Sequence, residues 1–188
     1  MSLSSRFRVT NPRLLSRVLR TTVLACACAA SLASNGSDAT WALYEVLPLA
    51  NAPMTGTLSG TTTSFNQHFK VDGTGTDTHS LILRYGVVAT TTSGGAVPLT
   101  VTVTPKNGQA KTSPLESSTE GSWTEIEIEL PCSTAPCQID ATTSVAVASG
   151  ASLGSSQVRI DWSATGILEG NGASAPVETK VDVKLVTP

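Results

Sequence analysis

A tryptophan that shares a strand face with three carboxylates is the part of the sequence best suited to bind a ligand. In the stretch SWTEIEIEL, Glu125, Glu127 and Glu129 alternate with apolar residues, and Trp123 has the same parity. Successive side chains of a strand point to opposite faces, so all four should lie on one exposed face. An indole can stack on a sugar ring while carboxylates accept hydrogen bonds from its hydroxyl groups. The pattern suggests a carbohydrate-binding face, and the alternative is that Trp123 precedes the strand and caps the core.

The glycine-rich stretch DGTGTD, residues 72–77, offers a second kind of chemistry. Asp72 and Asp77 could bind a calcium ion together with backbone carbonyl oxygens. Ca²⁺ takes roughly six to eight oxygen ligands, however, and two carboxylates are few for such a site. The alternative is a hairpin loop in which aspartate and glycine supply the turn geometry. Calcium is the only cofactor that the sequence suggests.

The two histidines of the chain flank this stretch. A hairpin here would place His68 and His79 opposite each other, as a metal-binding pair requires. Parity argues against the pair, because His68 is out of phase with Phe65 and Phe69, which predicts the wet face. His79 is in phase with Leu81, which predicts the core side. We therefore expect no histidine metal site.

Two cysteines in the stretch LPCSTAPCQID are expected to form a disulfide. Cys132 and Cys137 are separated by four residues, and residues that face each other across a hairpin end lie near the Cα separation that a disulfide prefers. A redox pair or zinc site would need C-x-x-C spacing or further thiol and imidazole ligands. The spacing predicts a structural bond at the end of a hairpin.

The first 33 residues have the order of a secretory signal. Five arginines and no acidic residue precede residue 21, and an uncharged apolar run with small residues follows up to residue 33. We predict that residues 1–33 are removed, together with Cys26 and Cys28. The alternative is a lipid anchor on Cys26. A membrane span needs roughly 20 apolar residues, and Arg20 and Asp38 leave too little room for one.

Removal of this leader makes the remaining chain acidic. The protein of 188 residues has 12 Lys and Arg, five of them in the leader, and 14 Asp and Glu, all beyond it, so the net charge changes from −2 to about −7. Nucleic acids and anionic membranes need a basic footprint, which argues against both as partners. The charges of the three neighbouring glutamates should also repel each other, so that Glu127→Ala would be neutral or slightly stabilising.

The sequence offers little support for catalysis. No G-x-S-x-G motif of the nucleophile-elbow type lies between a strand and a helix. Glycoside hydrolysis needs two carboxyl groups that flank a cleft, whereas the glutamates of WTEIEIEL should line one flat face. We therefore predict that the protein is not an enzyme.

The elements that position these residues are strands, because apolar and polar residues alternate with period two. Three segments alternate almost without fault: WTEIEIEL, VRIDW and VETKVDVKLV. Such alternation is typical of antiparallel sheets with one wet face. The inward residues are predicted to be Ile126, Ile128, Leu130, Val158, Ile160, Trp162, Val177, Val181, Val183 and Leu185.

Weaker strand patterns fill the rest of residues 34–188. They include ATWALYEV, MTGTLSG, SFNQHFKV, SLILRYGVV, PLTVTVTP and QIDATTSVAVA, and a hairpin turn is expected at Asn107 and Gly108. The segment SLILRYGVV is the most apolar and should be a central strand. We predict one all-β domain of eight to ten strands, a single antiparallel β-sandwich of the immunoglobulin-like or jelly-roll type.

These observations predict a secreted or cell-envelope protein with a structural, surface or adhesion role and a protein or glycan partner at the cell surface. The alternative is a carbohydrate-binding module that uses Trp123 and the neighbouring acidic residues.

Overall fold

The computed structural model describes residues 39–46, 54–134 and 136–186, and every regular element in them is a β-strand. The strands are β1 (Thr40–Val46), β2 (Thr55–Ser59), β3 (Ser64–Thr74), β4 (Thr78–Ser93), β5 (Pro98–Pro105), β6 (Lys111–Glu116), β7 (Ser122–Pro131), β8 (Cys137–Val147), β9 (Gln157–Asn171) and β10 (Lys180–Val186). These residues form no helix, and therefore no helix that could cross a membrane. The predicted leader, with Cys26, lies outside the described residues.

The strands form two antiparallel sheets of five strands each. In the first, here the β4 sheet, the order is β1-β9-β4-β7, and β2 also pairs with β9. In the second, the β8 sheet, the order is β10-β3-β8-β5-β6. The predicted antiparallel β-sandwich is confirmed, and SLILRYGVV is a central strand because β4 pairs with both β7 and β9.

The inward faces of the two sheets pack into one hydrophobic core. Val158, Ile160 and Trp162 of β9 are at most 2% exposed, as their alternation predicts. The Phe65 ring of the β8 sheet meets the Trp162 ring edge to face at 6.1 Å. Aromatic pairs with this geometry stabilise a core beyond the area they bury.

The last strand begins later than its sequence pattern predicted. Val177 was expected to face the core, but it is fully exposed in the loop before β10. The alternation holds from Lys180 onward, where Val181 and Val183 are buried and Leu185 is partly buried. Proline at position 176 and the turn closed by the Thr179 N–H to the Pro176 carbonyl account for the late start.

The predicted disulfide is confirmed, but its predicted position at the end of a hairpin is wrong. Cys132 and Cys137 are bonded, with their Cα atoms 5.8 Å apart. The strand before them, β7, pairs in the β4 sheet, whereas β8 pairs in the β8 sheet. The bond therefore closes a tight crossover from one sheet to the other.

The stretch DGTGTD is a second crossover of this kind. It joins β3 in the β8 sheet to β4 in the β4 sheet, so the prediction of a hairpin loop there is wrong. The hairpin predicted at Asn107 and Gly108 is confirmed, because β5 pairs with β6. The pattern did not identify β6 as a strand, since Pro114 interrupts it, and β6 is an edge strand where proline is tolerated.

The alternation of β7 predicts opposite effects for two neighbouring substitutions. Ile128→Ala should lower the free energy of unfolding by about 2–5 kcal/mol, because it removes a buried side chain and leaves a cavity. Glu129→Ala, on the exposed face, should change it by about 0.5 kcal/mol or less. Denaturant titration of both variants measures the contrast. Equal losses would mean that β7 is buried on both faces.

Candidate functional site

Trp123 lies on the outer face of the β4 sheet, within the edge strand β7. It is 62% exposed, the most exposed tryptophan among the described residues. It faces Val88 of β4 across the ladder and shares its face with Glu125 and Glu127. Because Trp123 is part of the strand, it does not cap the core, and its indole is available to solvent.

A glycine gives the indole room beside the central strand. Gly86 of β4 is in register with Glu125 on one side and Ser163 on the other. A Cβ atom built on Gly86 would lie 3.4 Å from the Trp123 Nε1 atom and 2.8 Å from the Ser163 Oγ atom. Gly86 is buried, because the Trp123 and Ser163 side chains pack over its backbone, and any larger residue would push against the serine hydroxyl.

Arg84 links the two glutamates nearest to Gly86. Its Nε atom lies 3.2 Å from Glu125 Oε1, and its Nη2 atom donates a hydrogen bond of 2.9 Å to Glu127 Oε2. The bond to Glu127, together with the charge of Glu125, raises the pKa of the Arg84 guanidinium. The predicted repulsion among the glutamates is therefore wrong for these two, because a cation lies between them.

The four residues predicted to bind a ligand do not form one cluster on this face. A second exposed aromatic side chain, Tyr44 of β1, is 61% exposed and lies within electrostatic range of Arg84. Glu129 is in register with Ile82 instead of Arg84, and it lines a cavity beside the sheet edge. Glu125 and Glu127 thus contact Arg84 on the face that carries Trp123, whereas Glu129 borders the cavity.

The acidic stretch proposed to bind calcium has partners of its own. The Asp72 Oδ2 atom lies 3.3 Å from the Lys70 Nζ atom on the same strand. Asp77 has a φ of 60° in the turn, a conformation that aspartate tolerates, and its carbonyl accepts the Asn171 N–H at 2.9 Å. No group of three or more His, Cys, Asp and Glu side chains in the described part of the chain could hold a metal ion. Calcium binding at Asp72 and Asp77 stays a prediction.

The two histidines lie on different sheets. His68 is on the outer face of β3, as predicted. His79 was predicted to face the core, and that is wrong, because its side chain is 43% exposed and lies 3.6 Å from Glu169. An irregularity between Thr78 and Ser80 in the β4–β9 pairing shifts the register by one residue and reverses the parity of His79.

The His68 Nε2 atom forms a hydrogen bond with the carboxylate of Asp140 on the neighbouring strand β8. The hydrogen bond from His68, with further attraction from Lys106 and Lys70, lowers the pKa of the Asp140 carboxyl. A lowered carboxyl pKa contributes stability above the ordinary pKa of aspartate, and that stability is lost as the pH falls below it. The pair therefore ties β3 to β8.

Arg84 and Gly86 are the site residues that the sequence interpretation missed. Leu81 was placed on the core side, so the alternation of the same segment already put Arg84 on the wet face. What the sequence could not supply was the pairing of β4 with β7, which sets Arg84 opposite Glu127. Without that register, no residue of opposite charge could be assigned to the glutamates from the sequence.

No protein-family model and no curated protein matches the chain. Among solved structures, one of infectious bursal disease virus, Gx strain, aligns with a TM-score of 0.39 and 14% identity over 76% of this chain and 38% of its own length. The VP2 subviral particle of that virus aligns with a TM-score of 0.29 and 15% identity over 80% of this chain and 36% of its own. The carbohydrate-binding module TmCBM61, in complex with β-1,4-galactotriose, aligns with a TM-score of 0.28 and 13% identity over 69% of this chain and 88% of its own.

The Arg84 cluster predicts a salt-dependent loss of stability. Arg84→Met should lower the free energy of unfolding at pH 7 by about 1 kcal/mol or less, since exposed ion pairs contribute little. The loss should shrink in about 1 M NaCl, where the screening length is only about 3 Å. Denaturant titrations at low and high salt measure it. A loss of equal size in both salts would show that Arg84 acts through packing instead of charge.

Proposed function

We propose that this protein is an exported, non-catalytic β-sandwich that acts at the cell surface or outside the cell, in an adhesive or surface role, and binds its partner through the outer face of the β4 sheet. The observation that carries the proposal is the 62% exposed Trp123 on a flat strand face. Tryptophan is enriched among the residues that dominate binding energy at interfaces. Leaving its large apolar surface in water has no structural benefit here, because the core is complete without it.

The disulfide supports the export part of the proposal. Cys132 and Cys137 are bonded at the crossover between the sheets. Structural disulfides form and persist in oxidising compartments and are rare in the cytosol. The basic and then apolar leader is the matching signal in the sequence.

The arrangement of the carboxylates supports a binding role over a hydrolytic one. Glu125 and Glu127 project from one strand and share the Arg84 guanidinium. Glycoside hydrolysis needs a carboxylic acid and a carboxylate on opposite sides of the scissile bond. Two acids on one side of a surface, both engaged by one cation, suit hydrogen bonding to a ligand better than proton transfer.

A glycan is the second candidate, as the ligand of a carbohydrate-binding module. The surface around Gly86 favours it, because a stacking indole, the Ser163 hydroxyl and the Arg84 guanidinium lie on the same sheet face. A sugar ring needs such a set, with an apolar platform for its C–H face and polar groups for its hydroxyls. A protein partner would use the same tryptophan as an anchor.

Binding to cell envelopes isolated from the source organism tests the proposal and separates the two partners. Wild-type protein should bind saturably, and Trp123→Ala should weaken binding by roughly 30-fold, the effect of a residue that contributes about 2 kcal/mol. Asn66→Ala, on the outer face of the β8 sheet, is the matched control and should bind like wild type. Circular dichroism and thermal unfolding confirm that each variant is folded.

The treatment that removes binding identifies the partner. Loss after periodate oxidation of the envelopes, with resistance to protease, would assign a glycan. Loss after protease alone would assign a protein. Wild-type binding that Trp123→Ala leaves unchanged would contradict the proposed face.

A further inference from the structure

An opening lies at the seam where the edge strands of the two sheets meet. It is a cavity of about 410 Å³ between the turn of the β5–β6 hairpin, the end of β7 and the start of β8. Ligand sites in proteins are typically roughly 300–1,000 Å³. Farther along the seam, β6 and β7 are held together by side chains, with the Ser113 and Thr124 hydroxyls 2.7 Å apart. The cavity forms where the hairpin turn leaves β7.

The backbone of β7 is open toward this cavity. The Glu127 carbonyl points away from β4, because it accepts a 2.7 Å hydrogen bond from Lys111 Nζ, whereas the Cys132 N–H points back to the His79 carbonyl. In an antiparallel strand the N–H and C=O of one residue point the same way and alternate along the strand. The N–H and C=O of Glu129 therefore point outward, beyond the last contact with β6 and into the cavity.

The opposite wall is the start of β8, which extends beyond its partner β5. The Asp140 carbonyl accepts the Lys106 N–H at 2.7 Å, and the β5–β8 pairing ends at Pro105 and Ala141. By the same alternation the N–H and C=O of Gln138 also point toward the cavity. The cavity is thus bordered by a strand edge from each sheet.

The floor of the cavity is apolar. Ile128, Leu130 and Ile139 line it, and Pro105 contributes to one wall. Ile128 and Ile139 are at most 6% exposed, so the cavity reaches down to the margin of the core. An apolar side chain placed there would be largely removed from water.

Glu129 is the rim carboxylate without a cationic partner among the described residues. Glu125 and Glu127, by contrast, share Arg84. Of the two rim lysines, Lys106 lies 3.9 Å from Asp140, whereas Lys111 donates to the neutral Glu127 carbonyl and keeps its charge. The rim as a whole is near neutral, so it is the Glu129 carboxylate by itself that complements a cationic group of a bound segment.

We propose that this cavity binds an extended peptide segment of a partner protein, which adds as a strand to the β7 edge at Glu129. Backbone hydrogen bonds to Glu129 give the register, as in other cases of strand addition. Glu129 projects from the outer face and Ile128 from the inner face, so the peptide needs a Lys or Arg beside Glu129 and apolar residues on either side of it. The recognised pattern is apolar–basic–apolar. The site is distinct from the Trp123 face, six residues or roughly 20 Å away along β7.

The probe is the blocked peptide Ac-Thr-Val-Lys-Val-Thr-NH2, titrated to 10 mM into the ¹⁵N-labelled protein. Saturable amide shifts should be centred on Glu129 and its neighbours. A peptide of the same composition with the order Lys-Val-Val-Thr-Thr breaks the alternation and should bind at least fivefold more weakly. N-methylation of the central lysine amide should abolish binding if that amide pairs with Glu129, and methylation one residue away should not.

Glu129→Lys tests the charge without disturbing the core. It should weaken the Val-Lys-Val probe by roughly fivefold, the size of a cross-strand charge pair, and strengthen a Val-Glu-Val probe by a similar factor. Trp123→Ala should leave the affinities for both probes unchanged. A loss of peptide binding at Glu129 can therefore be told apart from a loss of partner binding at Trp123. The absence of saturable shifts at 10 mM, shifts centred on Gln138 instead of Glu129, or equal binding of the reordered peptide would overturn the proposal.

Discussion

The close packing of two apolar sheet faces is the constraint on which the rest of the structure depends. At Gly166 of β9 an added Cβ would lie 2.7 Å from Val181 and Val183 of β10, which belongs to the opposite sheet. Gly56 of β2 similarly gives room to Phe65 of the opposite sheet, with an added Cβ 3.4 Å from its ring. Because one face of each strand is committed to this core, residues of opposite parity lie on the outer faces, where Ile82 and Ile167 pair and are themselves buried. The position of Trp123, Arg84 and the glutamates follows from that commitment.

The same constraint explains where openings occur. Two sheets that pack face to face leave seams at their edges, and the chain closes the β6–β7 seam with side chains instead of a backbone ladder. The Cys132–Cys137 bond holds the crossover next to this seam, where β7 turns into β8. The cavity at Glu129 lies between the end of that closure and the crossover. The Trp123 face and the cavity therefore offer two different kinds of surface, a flat platform and an open strand edge.

The faces of the strands were predictable from the sequence, whereas the partners of the strands were not. Alternation placed Ile128, Ile160 and Trp162 inward and Trp123 outward, because burial acts residue by residue along a strand. It carries no information on which sheet a strand joins, so both β3–β4 and β7–β8 were taken for hairpins. A single irregularity before Ser80 reversed His79. The Arg84 cluster depends on the β4–β7 register, which only the fold supplies.

The central claim is that the outer face of the β4 sheet is the working surface of the protein, and photocrosslinking in intact cells of the source organism tests it most directly. A benzophenone amino acid replaces either Val88, which faces Trp123 across the ladder, or Asn66 on the outer face of the opposite sheet. Light-dependent adducts are expected from position 88 and none from position 66. Equal adducts from both positions, or adducts from position 66 alone, would contradict the central claim.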